Sequence, residues 1–461
     1  MAFVAPKDRV LEQSSSNSQS VFVVTGALDA GYNAFSASMA VGDTTVGAVV
    51  EPGVAFKSGL LTYSNTNEVT VTTAFESKGT FSAGGVKQVF MGMPAASALG
   101  LDGAQGLSTA RKAQGRANLD VTRKNYLLNP GMMVSQENGT TAGTTNGYYP
   151  VDQWRMDFSN AGSVSVAQVA SATPGGSPNR TRVTVTGADA SVGSADYAML
   201  TQRIEGRRAC DLRFGSASAK SITVQIGVKA PAGTYCIGLR NGTPNRSIAG
   251  EFTIAGGEAN TDVVKTVTFA GDTTGTWAVD TTIGIEVCIM LMAGSSFQQT
   301  VNTWGAASGG FATSNQFNLM GTNGNVFELF DVGMYEGGAA PSFQLPDYDD
   351  ELRKCQRHYW QTAANEYLPI SGTLLSGATS GKFSSMPCPV PMRTDPTVTI
   401  GTSAVVTNGP TTAALTGVTA VATGHASLML SLTWSGSAGS AIADAIVVFG
   451  GTTPTKFSAR L

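Results

Sequence analysis

Charged residues are scarce in this sequence. Lysine, arginine, aspartate and glutamate make up 13% of it, and the formal net charge is −3 with a pI of about 5.5. A nucleic-acid-binding protein normally carries a basic surface, so this charge balance argues against such a partner. The two histidines, His358 and His425, are too few for a typical zinc site, and we expect neither a metal nor a cofactor.

Cysteine is also sparse, and its five residues are scattered without a CxxC pair: Cys210, Cys236, Cys288, Cys355 and Cys388. An odd number of widely spaced cysteines does not indicate a disulfide framework. We therefore expect free, mostly buried thiols in a protein made in a reducing cytoplasm.

Long apolar segments are absent as well. The N-terminal sequence MAFVAPKDRVLEQ has no apolar signal-peptide core. The longest apolar run, 287–293, is far shorter than the roughly 20 residues that cross a bilayer. The sequence thus predicts no membrane insertion.

Glycine, by contrast, contributes 55 of the 461 residues, and Ser, Thr, Ala and Val are abundant. This composition is typical of strands joined by many turns, so we predict an all-β protein. The length suits three domains in series.

The most informative stretch is residues 326–360, which begins with a predicted strand. Strict alternation would put Phe327, Leu329, Asp331 and Gly333 on one side and Val326, Glu328, Phe330, Val332 and Met334 on the other. Such a run predicts a strand that is buried on at least one face.

A short helix is predicted directly after this strand. Asp347, Asp349 and Asp350 suit a helix start, where carboxylates cap free N–H groups and meet the positive end of the helix dipole. A buried stripe at helical spacing follows, made of Leu352, Cys355, His358 and Tyr359.

The segment DVGMYEGGAAPSFQLPDYDDELRKCQRHYW resembles a recurrent passage of bacteriophage tail-fibre and receptor-binding proteins, although His358 stands where that family usually has tyrosine. Two further segments are similar to the same family. Residues 1–99 resemble a small β domain that attaches fibres to the virion, and NYLLNP…YYPVDQWRM resembles the opening of a carbohydrate-binding-module-like jelly roll, with Gln153 in place of the usual arginine.

The resemblance implies five segments. They are an N-terminal virion-attachment β domain (1–99), a linker with a short helix (100–125), a jelly roll (126–345), a bridging helix (346–366) and a receptor-facing C-terminal β domain (367–461). The small-residue stripe of the linker suits either a three-fold helical neck or a single surface helix. We expect the neck, and hence a homotrimeric fibre.

The function implied is a structural tail fibre or receptor-binding protein that binds other virion proteins through residues 1–99 and recognises a host-surface polysaccharide. It would be made in the host cytoplasm and located in the virion. Two alternatives are a head or neck (collar) decoration fibre and a capsule depolymerase. We expect no enzyme, because no catalytic motif is present and the acidic cluster near residue 347 is explained by a helix start.

Trp304 is our candidate for glycan contact. It lies in a long polar loop, where an exposed ring could stack on a sugar while Asn302, Thr303 and Asn315 bond its hydroxyls. The same loop could instead fold over the edge of the jelly roll. Trp154, in contrast, is predicted to fill the jelly-roll core.

Overall fold

The computed structural model describes residues 10–27, 31–92, 123–306, 309–364, 366–368, 372–374, 380–401, 405–408, 411–422, 426–434, 447–449 and 452–461. Its named strands pair in antiparallel sheets and its helices are short, so the predicted all-β class is confirmed. Two compact units are found, Met1–Val121 and Thr122–Leu461. The predicted neck stripe lies outside the described residues, and the trimer stays a prediction.

The first unit contains one sheet of six strands in the order β1-β6-β3-β4-β5-β2. The strands are β1 (Leu11–Ser14), β2 (Val21–Val23), β3 (Thr44–Glu51), β4 (Ala55–Asn65), β5 (Glu68–Lys78) and β6 (Lys87–Met91), with a 3-10 turn at Phe35–Ala37. Phe22, Phe35, Leu61 and Val89 are fully buried in its core. The Glu12 carboxylate is also buried, and it accepts hydrogen bonds from the N–H groups of Gly26 and Phe35.

The second unit begins with a β-sandwich. Its strands are β7 (Tyr148–Val151), β8 (Trp154–Ser159), β9 (Ser163–Ala170), β10 (Asn179–Gly187), β11 (Tyr197–Glu205), β12 (Ile222–Lys229), β13 (Gly233–Asn241), β14 (Ser247–Ile254), β15 (Val263–Phe269), β16 (Ile283–Ala293) and β17 (Val326–Glu336). A one-turn helix α1 (Gly206–Ala209) follows β11, and 3-10 turns occupy Cys210–Leu212, Gly256–Glu258, Ser295–Phe297 and Leu319–Gly321.

These strands form a five-stranded sheet, β15-β12-β17-β10-β9, and a six-stranded sheet, β14-β13-β16-β11-β8-β7. Alternate residues of both sheets meet in one continuous apolar core, as the period of two in a strand requires. Trp154 is completely buried in that core, which confirms its predicted structural role.

Strand β17 departs from the predicted alternation. Asp331 has a φ of +45°, and the register against β12 shifts between Gln225 and Gly227. This β-bulge returns Val332 and Met334 to the core side, together with Phe327 and Leu329, so their predicted grouping with Phe330 is wrong. Phe330 instead lies under the guanidinium of Arg180, at 4.4 Å.

Helix α2 (Tyr348–Gln356) is shorter than the predicted segment 346–366, and the chain then continues as strand β18 (Tyr359–Gln361). The Asp347 carboxylate caps the helix by accepting from the N–H groups of Asp349 and Asp350, as the acidic cluster predicts. Cys355, His358 and Tyr359 are buried, and Leu352 is half-buried. Arg357 ties this region to β11 through two hydrogen bonds to Glu205, at 2.7 and 3.0 Å.

The remaining strands form two sheets. They are β19 (Tyr367–Leu368), β20 (Gly372–Leu374), β21 (Ser380–Pro387), β22 (Thr397–Thr399), β23 (Val405–Asn408), β24 (Thr411–Ala422), β25 (Ser427–Trp434), β26 (Val447–Phe449) and β27 (Lys456–Ser458). A three-stranded sheet has the order β18-β27-β22, and a seven-stranded sheet has the order β19-β26-β23-β24-β25-β21-β20. His425 lies outside the described residues.

All five cysteines are free thiols, as expected, and Cys236, Cys288 and Cys355 are buried. None of the helices in the described ranges is long and apolar enough to cross a membrane.

Candidate functional site

Three aromatic side chains meet at one end of the sandwich: Phe214, Trp277 and Trp304, hereafter the aromatic cluster. The ring centroids are 4.8 Å apart for Phe214 and Trp277, 5.5 Å for the two tryptophans, and 5.9 Å for Phe214 and Trp304. All three contacts are edge-to-face, which is a preferred geometry for aromatic pairs. The rings are half-buried and pack against the core of the sandwich.

Three separate loops bring these rings together. Phe214 follows the 3-10 turn after α1, Trp277 lies between β15 and β16, and Trp304 lies between β16 and β17. Each indole N–H donates to a backbone carbonyl, that of Trp277 to Thr274 at 3.1 Å and that of Trp304 to Ala270 at 2.8 Å. The Trp304 bond reaches the segment that follows β15, whereas the Trp277 bond orients its ring within its own loop.

Asp272 anchors the loop that carries Trp277. Its carboxylate accepts two hydrogen bonds from Arg246, at 2.7 and 2.8 Å, and one from the N–H of Thr274. Its backbone carbonyl accepts from Gly215 N–H at 2.7 Å, directly beside Phe214. The bidentate pair holds the Trp277 loop against the turn between β13 and β14, and the Gly215 bond joins it to the segment of Phe214.

A cleft of about 60 Å³ opens beside the aromatic cluster. Cys210, Arg213, Phe214, Trp277 and Val279 are among its lining residues. Val279 is 66% exposed, so this apolar surface reaches solvent. Half-buried rings beside a few polar groups are the arrangement that proteins use for organic ligands with one apolar face.

The predicted contact residues are placed in two groups. Trp304 belongs to the aromatic cluster, and Asn302 and Thr303 are exposed next to it. Their loop runs along the edge strand β14, because Gly305 pairs with Ser247. This geometry matches the fold-over alternative that the sequence left open for the loop.

Asn315 also lies between β16 and β17, but it contacts a different part of β14. Its side-chain amide donates to Glu251 at 3.1 Å. Glu251 lies four residues along β14 from Ser247, which corresponds to about 13 Å of strand. The structure therefore does not bring Asn315 together with Trp304.

The carboxylates near the cleft are held ionised. Burial opposes ionisation of Asp272, but hydrogen bonds from Arg246 and Thr274 outweigh it, so the pKa of this carboxyl lies below its usual range. Hydrogen bonds from Thr282 likewise lower the pKa of Asp280. Neither group retains a proton near neutral pH, as a general acid would have to.

Trp277 was not predicted as a contact residue, although the sequence contains a signal for it. Trp277 lies in the polar segment GDTTGTWAVDTT, the same kind of context that drew attention to Trp304. Phe214 has no such signal, since it follows a helical turn. Among the described residues, no group of three or more His, Cys, Asp or Glu side chains is arranged to hold a metal ion.

No protein-family model matches the chain, and no curated protein matches it. Solved structures give weak matches. The enzymatically active domain of tailspike protein 4 of bacteriophage CBA120 matches with a TM-score of 0.26 and 10% identity, over 46% of this chain and 21% of that one. An arabinose-bound α-L-arabinofuranosidase matches with a TM-score of 0.24 and 10% identity, over 51% of this chain and 34% of that one.

A family 11 carbohydrate-binding module of a Clostridium thermocellum cellulase gives another weak match. It matches with a TM-score of 0.23 and 12% identity, over 44% of this chain and 98% of the module. The chain spans about a fifth of the tailspike chain and a third of the arabinofuranosidase chain. Similarities at this level carry no inference about function, which must come from the geometry of the chain itself.

Proposed function

We propose that this protein is a non-catalytic, glycan-binding fibre protein of a bacteriophage particle. The observation that carries the glycan-binding part is the aromatic cluster beside a solvent-accessible cleft. The flat face of an indole or phenyl ring accommodates the C–H face of a sugar, and the neighbouring Arg213, Asn302 and Thr303 supply polar groups for hydroxyls.

The fixed positions of the rings support this proposal. Each tryptophan of the aromatic cluster has its indole N–H bonded to the backbone, and the loop of Trp277 is held by the Arg246–Asp272 pair. Little side-chain freedom is left to lose on binding, and preorganisation of this kind improves affinity. Trp304 contacts both other rings and steadies them, while Phe214 and Trp277 line the cleft.

The particle assignment is supported by the resemblance of the sequence to tail-fibre proteins. In this proposal residues 1–99 attach the chain to other virion proteins, and the sandwich and the C-terminal strands face the host polysaccharide. A position on the head or neck rather than the tail would use the same domains. Three copies in one fibre would multiply individually weak glycan contacts.

The test is binding of the full chain to bacterial lipopolysaccharides and capsular polysaccharides. Trp277→Ala and Trp304→Ala should each weaken binding of a recognised glycan by about tenfold or more, because a stacking face is removed or loses its support. Tyr348→Ala is the matched control, since Tyr348 is an exposed aromatic residue at the start of helix α2.

Trp304→Ala also removes packing against the sandwich core, so binding is compared per folded molecule, and Trp304→Phe serves as a milder variant. Unchanged glycan affinity in the folded Trp277 and Trp304 variants would rule out the aromatic cluster as the site. Release of reducing sugar from the bound polysaccharide would instead make the protein a depolymerase.

A further inference from the structure

We propose that a second site, formed by Arg460 and Gln153 on the outer face of the six-stranded sheet, binds an oxyanion, and specifically the carboxylate of an acidic sugar. The assignment to a sugar rests on the proposed glycan-binding function. The oxyanion chemistry does not, because it follows from the hydrogen-bond donors of the site.

The site is a small pocket of about 10 Å³ between the turn joining β7 to β8, the middle of β11 and residues 460–461. Gln153, Arg155, Arg203 and Arg460 are among its lining residues. A volume of this size holds about one water-sized atom, so one oxygen of a carboxylate would enter while the sugar lies at the mouth.

Arg460 is held as a rigid donor. Its guanidinium lies between two aromatic rings, 3.8 Å from the centroid of Tyr149 and 4.0 Å from that of Tyr359. One terminal nitrogen, Nη1, donates to Glu137. Nε and Nη2, which lie along one edge of the guanidinium, are buried and have no partner among the described residues. That edge is the one that binds a carboxylate or phosphate with two parallel hydrogen bonds.

Gln153 contributes a third unpartnered donor. It occupies the tight turn between β7 and β8 with a φ of +71°, a backbone conformation that residues with a Cβ adopt at a cost. The residue is only 8% exposed, and its Nε2 is buried with no partner in the described part of the chain. A strained backbone and an unsatisfied buried amide at the same residue indicate a functional constraint.

The charged groups around the pocket are largely paired. Three ion-pair groups lie near it: Arg155 with Asp157, Arg203 and Arg240 with Glu286, and Lys456 and Arg460 with Glu137. The buried Asp152 carboxylate beside Gln153 and the carboxylate of Leu461 add further negative charge, so an anion would be held by the unpartnered donors and not by an excess of positive charge.

The unpartnered atoms argue against an internal water as the natural occupant. Among the described residues that line the pocket, every buried side-chain atom without a partner is a donor: Arg460 Nε, Arg460 Nη2 and Gln153 Nε2. A water molecule must also donate two hydrogen bonds of its own, whereas a carboxylate only accepts. An acceptor-only ligand therefore satisfies the site more completely.

The experiment measures the affinity of the full chain for sodium glucuronate by calorimetry at constant ionic strength, with glucose as the neutral counterpart and sodium acetate as a carboxylate without a sugar. Glucuronate should bind and glucose should not bind at this pocket. Tighter binding of glucuronate than acetate identifies an acidic sugar as the source of the oxyanion, and equal binding identifies a small free anion. Absence of binding by both carboxylates overturns the site.

Two variants locate the binding. Arg460→Lys keeps the charge but loses the two-donor edge, and Gln153→Gly removes the third donor while relieving the positive φ, so this variant should fold at least as well as the parent. Each should weaken glucuronate binding by about tenfold or more. Arg182→Lys is the matched control, because Arg182 makes a comparable ion pair on the outer face of the other sheet, with Glu328.

Equal affinity in the parent, Gln153→Gly and Arg460→Lys would place any anion elsewhere and refute the proposal. The oxyanion pocket and the glycan-binding function are refuted by different results. Binding of neutral glycans without glucuronate binding would refute only the pocket, and glucuronate binding without recognition of any bacterial polysaccharide would refute only the glycan-binding fibre function.

Discussion

His358 is a buried residue with an unsatisfied polar atom. Only 2% of it is exposed, and its Nδ1 has no hydrogen-bond partner among the described residues. Burial lowers the pKa of His358 to about 3, and the positive charges of Arg357, Arg393, Arg208 and Arg460 act in the same direction. The imidazole is therefore neutral in the folded protein at all but strongly acidic pH.

This histidine should make the fold sensitive to acid. In the unfolded chain its pKa returns to about 6.5, so the unfolded state takes up a proton first as the pH falls. The contribution of neutral His358 to the free energy of unfolding is fully present above about pH 6.5 and is lost progressively toward pH 3. At pH 4.5 the loss from this group alone should be about 3 kcal/mol, two pKa units below the unfolded value.

The measurement is urea unfolding of the parent and of His358→Phe at pH 7 and at pH 4.5. The parent should lose more free energy of unfolding between the two pH values than the variant does. All other titrating groups are common to both proteins and cancel in that difference. Equal losses would mean that His358 is protonated in the folded state, against the pKa described here.

The aromatic cluster could be predicted only in part from the sequence. A tryptophan in a Gly/Thr-rich loop is visible as a candidate, which is how Trp304 was identified. Its packing against Phe214 and Trp277 was not predictable, because those residues come from loops that only the sandwich topology brings together. The pocket at Arg460 was not predictable for the same reason, since Gln153 and Arg460 are at opposite ends of the unit's sequence.

At the scale of single elements, helix α2 depends on the N-cap residue that precedes it, Asp347. The Asp347 carboxylate accepts from two N–H groups, of Asp349 at 3.0 Å and of Asp350 at 3.2 Å. A nine-residue helix has marginal stability of its own and relies on such capping and on packing.

Removal of this cap should be measurable. Asp347→Ala should lower the free energy of unfolding by about 1 kcal/mol and speed hydrogen exchange at the start of α2. Asp349→Ala is the control, because Asp349 is also acidic and exposed in the first turn but its side chain is not the cap. If the two variants lose the same stability, charge near the helix terminus rather than the capping bonds of Asp347 stabilises the helix.

For strand β17, the sequence pattern predicted the strand but not its β-bulge. The composition and hydrophobicity of residues 326–336 predicted a buried strand, and the strand is present. The pattern could not show the bulge at Asp331, because the bulge depends on contacts with distant residues. The Asp331 carboxylate accepts from the Thr173 hydroxyl and the Gly175 N–H, both at 2.7 Å, and so reaches a loop more than 150 positions away.

For the whole molecule, the all-β class followed from composition because glycine, threonine and valine favour strands and turns over helices. The predicted domain bounds stay a prediction. The structure divides near residue 121, within the predicted linker 100–125, and the C-terminal residues 456–461 bind back onto the sandwich through Glu137 and Arg203. Contacts between residues so far apart cannot be predicted from a local sequence pattern.

The oligomeric state of the whole molecule can be tested directly. The resemblance to tail fibres and the small-residue stripe of the linker lead us to expect a homotrimer. Light scattering of the full chain should give the mass of three chains of 47.4 kDa each. A mass near that of one chain across the micromolar range would exclude the trimeric fibre.

The pairing of β18 with β27 has a consequence for how such a protein can diversify. Tyr359 is opposite Ser458, and Gln361 is opposite Lys456, so the chain leaves the sandwich side and returns to it on adjacent antiparallel strands. Paired Cα atoms in such a ladder are about 5 Å apart. Residues 361 and 456 are thus neighbours in space although they are far apart in the sequence, and the stacked rings of Trp360 and Phe457, 4.1 Å apart, lie at this junction, where β22 also pairs with β27. A segment whose ends are neighbours in this way can be exchanged by recombination for one of different length and surface while its point of attachment is conserved.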